Sequence, residues 1–152
     1  MDQPSVPSPS PWSAAHFRPV AGELAATIDR SRETLEKTGL VRMHDAAEAF
    51  LAEFGDLALQ VSGPGLTCVK TPFCFAPDHL IGEEDRFADW SATIGRTIFP
   101  IGELDQGRFF LGIDENSEIY LVETWLAAFG PAPQALEKLI LGIAAQRIET
   151  AE

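Results

Sequence analysis

TIFPIGELDQGRFFLGIDENSEIYLVET, residues 97–124, reads as three short strands joined by two turns. The first strand runs from Thr97 to Gly102. Glu103-Leu104-Asp105-Gln106-Gly107 follows it, a loop of hairpin length ending in a glycine suited to positive φ. In the second run Phe109, Phe110, Leu111 and Ile113 surround Gly112, then Asp114-Glu115-Asn116-Ser117 supplies turn chemistry. Ile119-Tyr120-Leu121-Val122 resumes the β-rich pattern. Three sequential strands make an antiparallel meander. Nearly every outward position in it is an acid or an amide, so the scaffold carries an acidic face.

Helical patterns flank this sheet. From Glu23 to Lys37, Leu24, Ile28 and Leu35 recur at near-helical spacing, and Thr38-Gly39 ends the segment. A second helix follows His44-Asp45 and runs to Phe54, with Glu48 three residues after Asp45 as in a capping box and Gly55 at its end. Leu57 to Ser62 and Leu66 to Thr71 suggest a strand pair turning at Gly63-Pro64-Gly65. Pro72 and Pro77 bracket an irregular aromatic loop. Glu83 to Ile94 sets Phe87, Trp90 and Ile94 on one helical face and opens with acids that suit its dipole. Trp125 to Phe129 is a short apolar segment, and Pro131 to Gly142 forms a last helix with Leu136, Leu139 and Ile140 as its stripe. The order ααββαβββα predicts an α+β fold, an antiparallel β-meander sheet packed with helices.

A chain of 152 residues that is 45% hydrophobic, with ten Phe and three Trp, suffices for one core without disulfides or metals. Residues 1–20 are expected to form a flexible Pro/Ser-rich arm in which Trp12 and Phe17 dock locally or serve as anchors. The domain spans 21–145, and 146–152 is a tail. No apolar run is long enough to span a bilayer and no signal peptide is evident, which makes a cytoplasmic location the expectation. Cys68 and Cys74 then read as reduced core thiols.

The formal net charge is −12, and residues 78–130 hold eleven acids against three bases. Such a surface repels nucleic-acid phosphates and anionic lipid, and raises encounter rates with a basic partner. Acidic surface also keeps a protein soluble, and charge alone does not separate the two roles.

Catalytic constellations are thin. His44-Asp45 and Cys68 make a base and a nucleophile only if the fold joins them, and helix capping already explains Asp45. Cys68, Cys74 and His79 match no common zinc spacing. Gly63-Pro64-Gly65 lacks the lysine and following helix of a phosphate loop. Glu83-Glu84-Asp85 is consistent with a metal or acid–base site, yet adjacent acids opening a helix ordinarily reflect its dipole. The residues themselves thus give no expectation of a catalytic, cofactor or metal site. Trp125, just past Glu123, is a candidate rim anchor for a partner.

The ordered segments MHDAAEAFLAEFG (43–55), GPGLTC (63–68), IGEEDRFADWSATIG (81–95), PIGELDQGRFFLGIDENSEIYLVE (100–123) and ALEKLILG (135–142) together resemble the SUKH superfamily. The resemblance is closest to the third family of SUKH immunity proteins in bacterial polymorphic toxin systems. It implies a SUKH-like single domain that binds and neutralises a cognate secreted toxin, often a nuclease or deaminase, without turnover or cofactor. Nuclease domains tend to be basic because they bind phosphate. An acidic groove of Glu83, Glu84, Asp85, Asp89, Glu103, Asp105, Asp114, Glu115 and Glu118, with Trp125, is the partner-binding surface that charge suggests. The alternative is a SUKH-type scaffold that binds an endogenous cytoplasmic partner.

Overall fold

The structure, a computed structural model, describes residues 21–61 and 63–148. The expected arm 1–20, with Trp12 and Phe17, and residues 149–152 of the expected tail lie outside the described residues. The helices are α1 (Ala21–Glu36), α2 (Asp45–Phe54), α3 (Glu84–Ile94) and α4 (Ala132–Leu141). The strands are β1 (Ala58–Leu59), β2 (Gly63–Pro64), β3 (Val69–Lys70), β4 (Phe73–Cys74), β5 (Phe99–Leu104), β6 (Phe109–Ile113), β7 (Glu118–Val122), β8 (Leu126–Pro131) and β9 (Gln146–Arg147). Seven of them form one antiparallel sheet in the order β1-β4-β5-β6-β7-β8-β9, and β2 pairs with β3 alone. The fold is α+β in a single domain, as the meander implied.

The meander fixes which side chains face which layer. Leu104 pairs with Phe109, Leu111 with Leu121, and Ile113 with Ile119. Directly paired residues share a face, and this set meets α2 and α4. The alternate set, Phe110 with Val122 and Gly112 with Tyr120, lies beneath α3. Gly112 makes that second layer possible: a Cβ there would stand 2.5 Å from Ile98 Cγ2 and 2.8 Å from the Phe87 ring. The β5–β6 connection is tighter than the sequence suggested. β5 continues to Leu104, and Asp105, Gln106 and Gly107 all take positive φ.

His44 ties three elements together. Its Nδ1 accepts the Ala47 amide at 3.1 Å, while its Nε2 faces the carbonyls of Thr97 at 3.0 Å and Ile113 at 3.1 Å. A nitrogen that accepts carries no proton, so this network assigns the proton to Nε2. His44, not Asp45, therefore caps α2. Both ring nitrogens are occupied by these backbone partners, and Cys68 is not one of them.

Several expectations change. Gly63-Pro64 is itself a strand, and its turn lies at residues 65–68, where Leu66 N–H donates to the Leu141 carbonyl and the Thr67 and Cys68 amides donate to that of Gly142. These amides satisfy carbonyls at the end of α4, a partnership too distant in sequence to read locally. The Pro72–Pro77 loop holds β4, which joins β1 to β5. The apolar segment at Trp125–Phe129 enters β8 from Leu126 on, and β9 pairs with that strand within the stretch expected to be tail. In α1, Ile28 and Leu35 are buried as expected; the Leu24 side chain lies outside the described part. Both cysteines are free, but Cys68 is exposed rather than in the core.

Candidate partner-binding surface

α3 stands on the sheet with its N-terminal end near the β7–β8 turn. Trp90 Nε1 donates to the Glu123 carbonyl at 2.8 Å, and Arg86 reaches Glu123 Oε2 at 3.4 Å while its guanidinium lies 5.6 Å from the Phe110 ring centroid. These contacts leave an open cleft of about 520 Å³ between helix and turn, bounded by Glu83, Asp85, Asp89, Glu123 and Trp90. Asp85 and Asp89 are exposed and one helical turn apart. Glu83, Asp85 and Asp89 take part in none of the ion pairs among the described residues. Unpaired acids beside a half-buried tryptophan offer a partner both charge and apolar contact.

Of the ten residues that the sequence nominates, the fold gathers only three here. Glu103 pairs across the sheet with Phe110, so its side chain lies on the α3 face, and its carboxylate meets His79 Nδ1 at 2.7 Å. Asp105 follows on the β5–β6 turn and pairs with Arg108 at 3.3 Å. Both lie at the same end of the meander as Glu123, but each already has a partner.

Glu115 and Glu118 flank the β6–β7 turn at the opposite end of the sheet. The Thr97 amide, donating to Glu115 at 2.8 Å, holds that carboxyl below the usual glutamate value. Two nominated acids are not surface groups at all. Glu84 is 6% exposed, with Oε1 accepting the Gly82 amide, and Asp114 is 1% exposed. Asp114 Oδ1 accepts the Asn116 and Glu118 amides, and Oδ2 accepts the Tyr120 hydroxyl at 2.8 Å. Burial, and then that hydrogen bond, push the Tyr120 hydroxyl well above its ordinary value. The expected single groove of nine acids is thus corrected to one cleft, two paired neighbours, a remote pair and two buried hydrogen-bond acceptors.

Trp125 lies on the other face of the sheet, 6.2 Å from Phe109 and beneath Arg147. Glu123, which completes the cleft, was not singled out from the sequence; its place just past the end of β7 was the available signal. Among the described residues, no three of His, Cys, Asp and Glu assemble as a metal site, and no helix is long and apolar enough to cross a membrane.

The family model described as SUKH-3 immunity protein matches residues 17–142. No curated protein and no solved structure matches the chain.

Proposed function

The chain belongs to the SUKH-3 immunity protein family, and we propose that it neutralises a cognate secreted toxin by seating a basic region of that toxin on the α3 cleft. Family membership supports an immunity function and implies a toxin partner; SUKH immunity proteins are generally non-enzymatic. The observation that carries the finer reading is the unpaired set Glu83, Asp85 and Asp89 around Trp90. Free carboxylates beside an aromatic anchor suit lysine- and arginine-rich surfaces, as found on nuclease and deaminase domains that must hold phosphate. Bound there, the protein covers the nucleic-acid-binding surface of the toxin and needs no turnover. The same charge disfavours direct binding of nucleic acid or anionic membrane to this face. Inhibition takes place in the cytoplasm of the producing cell or its siblings, before the toxin reaches its substrate.

Co-expression with the C-terminal domain of the nearest large secreted gene product tests this. Rescue of growth together with a co-purified complex is the expected result. Rescue that survives charge removal at Glu83, Asp85 and Asp89 with affinity intact moves the interface off α3. Toxicity with neither rescue nor complex removes that pair and favours a scaffold with an endogenous partner.

A further inference from the structure

On the face opposite α3, the sheet and α4 enclose a groove of about 330 Å³. Leu104, Phe109, Leu121, Phe129 and Leu139 form its walls, with Trp125 at one side, and no carboxylate lines it. Three cations adjoin it. Lys138 lines the groove directly, the Lys70 stem lies beside Gly142, and the Arg147 guanidinium stacks 5.0 Å from the Trp125 ring centroid. None of the three belongs to an ion pair among the described residues. Of the acids at the same end of the sheet as Trp125, Asp105 is engaged by Arg108 and Glu123 by Arg86. Just outside, Leu66 and Leu141 are 69% and 40% exposed and held together by the Leu66 amide on the Leu141 carbonyl.

A basic rim around an apolar groove is unexpected on a chain of net charge −12. It opposes the kind of partner that suits α3 and favours the reverse. We propose that this groove is a second docking site, for an acidic segment of a protein partner that inserts one aliphatic or aromatic side chain. The anchor fills the space between Phe109, Leu121 and Leu139, its flat side against Trp125, while flanking carboxylates meet Lys138, Arg147 and Lys70. A second copy of this chain is a poorer occupant, because a two-fold contact would set the same cations against themselves. The groove and the α3 cleft lie on opposite faces, so filling one leaves the other open.

The test is fluorescence anisotropy on the full chain with a short fluorescein-labelled peptide that sets one leucine and one phenylalanine among aspartates. Two control peptides replace the aspartates by lysine or the apolar pair by serine. The acidic apolar peptide should bind, with both controls at least about tenfold weaker, and the Lys138→Glu/Arg147→Glu double variant should lose about tenfold in affinity. Leu66→Ser, at an exposed position outside the core, should weaken binding without changing the thermal unfolding curve. Equal binding of the three peptides, or full affinity in the double variant, overturns the proposal. So does concentration-dependent dimerisation that the double variant abolishes, which gives the groove to a second copy. A chain ending at Ile148 that binds the peptide about tenfold more tightly also overturns it, assigning the groove to residues 149–152.

Discussion

The Asp114 carboxylate accepts hydrogen bonds from the Asn116 amide, the Glu118 amide and the Tyr120 hydroxyl while 1% exposed. Removing it takes the acceptor from one buried donor, the Tyr120 hydroxyl, and two partly buried amides, and an unsatisfied buried donor is costlier than the bond it lost. Asp114→Ala should therefore destabilise by about 2–4 kcal/mol, read as a lower urea midpoint, whereas Tyr120→Phe should cost about 1 kcal/mol. An unchanged midpoint for Asp114→Ala would contradict the hub assigned here. The cysteines separate in the same way by environment. Burial, and then the charges of Glu103, Asp56 and Asp78, push the Cys74 thiol up to about 11, while Cys68 is exposed on the 65–68 turn. At pH 8 a thiol of that acidity is thiolate in only about one molecule in a thousand, so Ellman's reagent should label one cysteine fast and the other slowly. The slow rate should climb as pH approaches 11, and it should persist in Cys68→Ser. The fold should lose some stability over that alkaline range too, because the unfolded chain releases the thiol proton first. Two equally fast thiols at pH 8 would show that Cys74 is not shielded.

α3 exists as a layer because the strand beneath it has no side chain at Gly112. Phe87, 0% exposed, fills that space, and the rest of the cleft depends on this seating. Gly112→Ala should cost about 1–3 kcal/mol by overpacking against Ile98 and Phe87. It should also weaken any ligand of the α3 cleft more than one bound on the opposite face. Wild-type stability in this variant would mean that α3 can shift without loss. The same strand shows how much of the architecture is legible in sequence. Glycine between apolar residues, Asp-Glu-Asn-Ser turn chemistry and the 3.6-residue stripes gave the meander and all four helices within a few residues. β4 and β9 are two residues long and owe their existence to neighbours already in place, so no local period announces them, whereas β1 falls within the strand expected over residues 57–62. β8 was missed as a strand because Trp125 to Phe129 is continuously apolar, with no alternation to declare a face. The misplaced turn at Gly63-Pro64-Gly65 has the clearest cause. The amides at 66–68 cap α4, and only the folded chain brings those carbonyls to them.

At the scale of the molecule, sequence supplied the amount of charge and the fold supplied its arrangement. Eleven acids between residues 78 and 130 are evident by inspection. Nothing in their spacing tells that Asp114 and Glu84 turn inward, that Glu103 meets His79 and Asp105 meets Arg108, or that Glu83, Asp85 and Asp89 enter no ion pair among the described residues. Pairing is a tertiary property, so the spacing of the acids along the chain does not tell which of them the fold leaves together on one surface. The arrangement is also polar across the sheet: among the described residues, acids without an ion pair lie by α3 on one face and cations without one lie around the Trp125 groove on the other. Long-range steering responds to the net field, whereas docking responds to the local face. Glu83→Gln/Asp85→Asn/Asp89→Asn should then slow association with a basic toxin domain by about tenfold at low salt and leave dissociation less affected. At about 1 M salt the Debye length shrinks to about 3 Å, and the two proteins should associate at nearly the same rate. Neutralising Glu115 and Glu118 at the far end of the sheet removes similar charge without touching the cleft, so it serves as the control. Stopped-flow mixing across a salt series distinguishes the outcomes: equal slowing by both variants would reduce the effect to net charge, while slowing confined to the α3 variant would mark that cleft as the contact face.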